Sequence, residues 1–199
     1  MTESDINKLI RQNIARETVS TEDGINAGSA LAEKAIGTSW AFAGGIAMHI
    51  YGYVRATTDV DIIADHDLDA GSERQLTFGG SSYKVDLEGR SIVVDWIVRS
   101  DENAKFYSEA LKDAIVTEDG IRVVSPEWLV ILKHLAGRPK DKLDQIWLLQ
   151  ESGLVDRETV KGNIRRVLGE YASFLINDIQ SDFDYADVLT LRGERNKYD

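Results

Sequence analysis

The sequence predicts a mixed α/β (α+β) fold, with a mixed central sheet flanked by helices and a helical C-terminal part. Three observations carry that expectation. Apolar residues recur at helical spacing before residue 37 and after residue 125, and they alternate with polar residues between Gln75 and Val98. A short apolar stretch also runs straight into the glycine pair Gly44-Gly45. At 199 residues the chain is long enough for one well-packed α/β unit or for a small core with a helical appendage.

Ile6, Leu9, Ile10 and Ile14 predict a helix over residues 5–16, and an alanine-rich stretch predicts a second over 27–36. "SWAFAG" reads as a short buried strand ending at the glycines. A brief helical stretch follows, and "DVDII" forms the next strand. From Gln75 to Val98 the period-two pattern gives three strands, separated by turn signals at Gly79-Gly80 and Gly89. "NAKFYSEALKDAIV" predicts a helix over 103–116 and "GIRVV" a short strand. Ser125-Pro126 starts a helix, Ser125 as its cap and Pro126 in the first turn, running to about Ala136. Further helices are expected from Lys140 to Gln150 and from Asp156 onward. The expected organisation is a core with N-terminal helices over residues 1–124 and a helical part over 125–199 packed on it.

Composition narrows the chemistry. With no cysteine, disulfides and thiolate metal sites are excluded, so any metal must be held by oxygen ligands or by His49, His66 and His134, which lack ligand spacing. A net charge of −11 argues against broad electrostatic adhesion to nucleic acid while leaving room for a local basic groove. No apolar run approaches the roughly 20 residues of a membrane span, and the N-terminal stretch has no basic start followed by an apolar segment. A cytoplasmic protein with no membrane partner is expected.

Within "DVDII", Asp59 and Asp61 share one strand face and Val60 and Ile62 the other. The two carboxylates sit about 7 Å apart at the backbone, close enough to clamp a divalent cation. A strand edge or turn with solvated aspartates is the simpler account of the pair taken alone. Gly44-Gly45, after a strand and before a helix, suits backbone N–H contacts to phosphate, although a tight turn also explains it. Two later aspartates compete to be a third carboxylate. Asp86 alternates with Lys84 and Glu88 on a polar face, whereas Asp95 stands alone among Ile92, Val93, Val94, Trp96, Ile97 and Val98. A carboxylate in such a run is costly unless paired, hydrogen-bonded or bound to metal.

Together, Gly44-Gly45, Ala47, Gly52, Arg55, Thr58, Asp59-Val60-Asp61 and Asp95 resemble the nucleotidyltransferase fold of the DNA polymerase beta superfamily. With "SPEWLVILKHLAGRPKDKLDQIWLL" added, the chain resembles the bacterial AbiEii-like group, which includes toxins of abortive-infection and toxin-antitoxin systems. The resemblance spans roughly residues 38–150. It implies Asp59, Asp61 and Asp95 as ligands of Mg²⁺ or Mn²⁺, with Asp95 also as the base that activates an acceptor hydroxyl. It implies Gly44, Gly45, Arg55, Thr58, Lys133 and Arg138 as contacts to a nucleoside triphosphate (NTP). Gly45 stands where many members of the group have serine, so backbone contacts replace a hydroxyl there. Arg55 fits either phosphate or the Asp59 carboxylate, and Lys133 fits either phosphate or a snorkelling surface position. Arg138, Lys140, Asp141 and Asp144 also stand at spacings that allow mutual pairing.

The implied activity transfers a nucleoside monophosphate from an NTP to an acceptor hydroxyl, most simply on RNA or a tRNA end, with a cognate antitoxin protein as partner. Lys133, Arg138, Lys140, Lys142, Arg165 and Arg166 are the cations expected to line an RNA cleft. A small hydroxylated molecule such as an aminoglycoside, a protein hydroxyl, and non-catalytic nucleotide binding are the alternatives.

Overall fold

The computed structural model describes residues 18–69 and 71–195. The helix expected over residues 5–16 lies outside them. The chain forms two compact units, Met1–Ile50 with Val54–Val98, and Tyr51–Tyr53 with Arg99–Asp199.

In the first unit, α1 spans Thr21–Ala32. It begins well before the stretch expected from the alanines because Ser20, in an extended conformation, accepts a hydrogen bond from the Asp23 N–H at 3.0 Å. Glu22 and Asp23 then favour the positive end of the helix. The helix buries Ala27, Leu31 and Ala32, and ends before Ala35 and Ile36.

Next come β1 (Trp40–Phe42), α2 (Gly44–Ile50), β2 (Asp59–Ala64), β3 (Arg74–Gln75), β4 (Gly80–Leu87) and β5 (Arg90–Ile97). These five strands lie in the order β3-β4-β5-β2-β1. Strands β2 and β5 run parallel, and β1–β2, β3–β4 and β4–β5 are antiparallel. The expected mixed sheet and three-stranded meander are both present. One sheet face carries Trp40, Phe42, Ile62 and Trp96, with Trp40 edge-on to Phe42 at 5.5 Å between ring centroids. Helix α1 packs on this sheet. Lys84 and Asp86 are exposed on β4, as their alternation with apolar residues predicts, and Asp95 is buried on β5, as its place in an apolar run predicts.

The second unit contains α3 (Ala104–Lys112), β6 (Ile115–Val116), β7 (Arg122–Val123), α4 (Pro126–Ala136), α5 (Pro139–Gln150), α6 (Arg157–Leu168), a 3₁₀ turn (Gly169–Tyr171) and α7 (Ala172–Leu191). The helix expected over 103–116 stops at Lys112. The β-branched pair Ile115-Val116 instead joins Val123 and Arg122 in a hairpin. The helical run after Asp156 is divided at Gly169 into two helices. Ser125 caps α4 as expected, accepting from the Trp128 N–H at 3.4 Å, with Pro126 in the first turn. Trp128, Leu129, Ile131, Ile146, Leu148, Ile164 and Phe183 are almost fully buried and form the core of the helical bundle. Among the described residues no helix is long and apolar enough to cross a membrane.

Candidate active site

The parallel register of β2 and β5 sets Asp61 opposite Asp95 and Asp59 opposite Val93. On the other side of β5, Ser82 lies opposite Asp95, and Arg74 lies opposite Ser82. Residues directly opposite on paired strands share a face. A row Arg74, Ser82, Asp95, Asp61 therefore crosses four strands, with Asp59 two residues along β2 on the same face. The sheet thus brings the three aspartates singled out from the sequence to one face.

Asp95 is 8% exposed. Its Oδ2 lies 3.8 Å from Arg74 Nη2, while Oδ1 is buried and has no hydrogen-bond partner among the described residues. A buried polar atom without a partner costs about 1–3 kcal/mol. The strongest electrostatic demand on this face is therefore for a cation or a proton donor at Asp95 Oδ1.

The two glycines serve the same face from the side. Gly44 has φ +54°, and a Cβ there would stand 1.7 Å from Asp61 Oδ2. The Asp61 carboxylate therefore lies directly over the Gly44 backbone, where no other residue leaves room for it. A Cβ on Gly45 would stand 2.6 Å from Thr57 Oγ1. That hydroxyl faces Asp59, with Oγ1 3.2 Å from Oδ1 and 3.3 Å from the carbonyl oxygen, and it donates to this pair of acceptors. Thr58 is exposed, whereas Thr57 is buried. Thr57 stands two residues before Asp59, just ahead of β2, and only the fold turns its hydroxyl to that carboxylate.

Arg55 is buried. Its Nη1 donates to the Ala56 carbonyl at 3.0 Å, and its own carbonyl accepts from His49 Nε2 at 2.6 Å. His49 Nδ1 lies 3.1 Å from Thr21 Oγ1. The imidazole therefore joins α1 to the segment leading into β2, a positioning role that the scattered histidines of the sequence gave no reason to expect.

Lys133 and Arg138 belong to the second unit. Lys133 Nζ is buried against Asp141 Oδ1 at 3.0 Å and Asp144 Oδ2 at 2.6 Å. Arg138 grips Asp141 with two donors, Nε to Oδ2 at 2.5 Å and Nη2 to Oδ1 at 3.2 Å. Burial by itself pushes the Asp141 carboxyl up, but the Arg138 hydrogen bond and the Lys133 charge outweigh it and hold the carboxyl below its ordinary value. Lys142 pairs with Asp182, and Arg166 with Asp113.

Among the described residues, no three His, Asp or Glu side chains are arranged to hold a metal ion. The face nevertheless fits a hard divalent cation in donor chemistry, through carboxylate oxygens at Asp59, Asp61 and Asp95 and the unpartnered Asp95 Oδ1.

No protein-family model matches the chain, and no curated protein matches it. Among solved structures, the chain is similar to an antigenic nucleotidyltransferase-like protein from Paracoccidioides brasiliensis, at 20% sequence identity over 84% of this chain and 94% of that one, with a TM-score of 0.48.

Proposed function

We propose that the chain is a nucleotidyltransferase dependent on Mg²⁺ or Mn²⁺, moving a nucleoside monophosphate from an NTP to an acceptor hydroxyl. The observation that carries this reading is Asp95: buried, opposite Asp61 in the parallel register, and with an unpartnered Oδ1. Asp59 and Asp61 hold the cation together with Asp95. Thr57 orients Asp59 by its hydroxyl, and Gly44 lets the Asp61 carboxylate settle over the backbone. A bound divalent cation supplies charge neutralisation at the phosphates and a lowered acceptor pKa. Asp95 receives the acceptor proton at Oδ1, the acceptor oxygen bonds to the α-phosphorus, and the bond to pyrophosphate breaks.

RNA, including a tRNA end in a toxin-like role with an antitoxin partner, is one acceptor class. A small cationic hydroxylated molecule is the second, and a specific observation favours it. Four of the six cations expected to line an RNA cleft, Lys133, Arg138, Lys142 and Arg166, are engaged by aspartates, which leaves less positive charge for a polyanion.

The test supplies each α-labelled NTP with Mg²⁺ or Mn²⁺, offered in parallel with total RNA and with aminoglycosides, and follows where the label goes. Label is expected on one acceptor class, and D61A or D95N is expected to lower transfer by about 10²-fold or more. Full transfer by D61A would sink the reading.

A further inference from the structure

We infer that Arg74 is the resident counter-ion of the carboxylate row, one that yields Asp95 to a divalent cation and then takes a phosphate of the incoming nucleotide. This inference rests on the nucleotidyltransferase reading of the same face.

Arg74 sits on the two-residue edge strand β3, at the outer end of the row that runs through Ser82 to Asp95 and Asp61. Its side chain is 67% exposed, and its Nη2 lies 3.8 Å from Asp95 Oδ2, too far for a good hydrogen bond. Among the described residues the guanidinium has no other polar partner, so only this long ion pair holds it. Asp95 Oδ2 therefore faces a long, exposed side chain on an edge strand, while Oδ1 is buried and has no partner among the described residues. This asymmetry suits exchange. A doubly charged cation held by Asp95 and Asp61 would repel the guanidinium and outcompete a single charge at 3.8 Å. The released fork is then free to bind phosphate with two parallel donors, which a lysine cannot match. Arg74 thus acts on the cation through Asp95, as a positioning residue, and on the nucleotide directly.

The test titrates Mn²⁺ into the full chain by calorimetry and by the loss of the free-ion magnetic resonance signal, first without nucleotide and then with a non-hydrolysable NTP analogue. R74Q removes the competing charge, so Mn²⁺ alone is expected to bind about two- to fivefold more tightly than to wild type. With Mn²⁺ saturating, the analogue is expected to bind R74Q about tenfold more weakly. R74K keeps the charge and loses the fork, so it is expected to restore wild-type Mn²⁺ binding while leaving nucleotide binding weak. Equal Mn²⁺ affinity in wild type and R74Q would overturn the inference. If D61A abolishes Mn²⁺ binding while R74Q changes nothing, only the role of Arg74 fails. If D61A and D95N both bind Mn²⁺ as wild type does, the carboxylate site fails and Arg74 with it.

Discussion

At the residue scale, the face of β2 depends on small groups that make room for charged ones. Gly44 accepts the Asp61 carboxylate against its backbone, and Gly45 leaves space for the Thr57 hydroxyl that faces Asp59. Thr57 is buried against Asp59 and Thr58 is exposed, so substitution should separate them sharply. T57V keeps the shape and loses the donor, and is expected to weaken Mn²⁺ binding by roughly threefold to tenfold. T58V is expected to bind Mn²⁺ as wild type does. Equal effects from the two would remove Thr57 from the site. Asp95 was legible from the sequence because a lone carboxylate in an apolar run demands a partner. Thr57 was not, because a hydroxyl two residues before an aspartate carries no demand of its own. Arg74 was invisible for a different reason: only the strand register brings it into line with an aspartate that follows twenty-one residues later.

At the scale of elements, helices α4 and α5 are joined by charge inside the bundle. Lys133 comes from the first and Asp141 and Asp144 from the second, all three nearly or fully buried. Removing one partner from such a group leaves an uncompensated buried charge, so K133M is expected to lower stability by about 3–5 kcal/mol in urea denaturation. The pH dependence has a definite sign. The Asp141 carboxyl is held below its ordinary value of 3.8, so its stabilising contribution is complete above that pH and is lost as the pH falls through the depressed value. Acid titration of D141N should show a shallower loss of stability below about pH 4 than wild type. The strands and helices themselves were largely legible from periodicity and caps, Ser125-Pro126 above all. The errors fell where local signals competed with tertiary pairing: Ile115-Val116 left a helical pattern for a hairpin, and Ser20 started α1 ahead of its alanines.

At the scale of the whole molecule, the net charge of −11 is unevenly used. Several basic side chains of the helical unit are held in ion pairs, and on the sheet Arg74 lies against Asp95 of the acidic row. The element order was readable along the chain, but the strand order was not, because it depends on where the meander returns. That return has a consequence for the growing polypeptide. Strand β5 is made after β3 and β4 yet inserts between β4 and β2, so β2 has no neighbour on that side until residue 97 has been synthesised. Until then Val60, Ile62 and Ile63 belong to an open edge able to pair with any other extended chain. Nascent chains arrested before β5 are expected to aggregate on release, and chains arrested well beyond it to remain dispersed; equal sedimentation of the two would refute this order. The strand that delivers Asp95 to its neighbours is thus also the one that closes the sheet against association during synthesis.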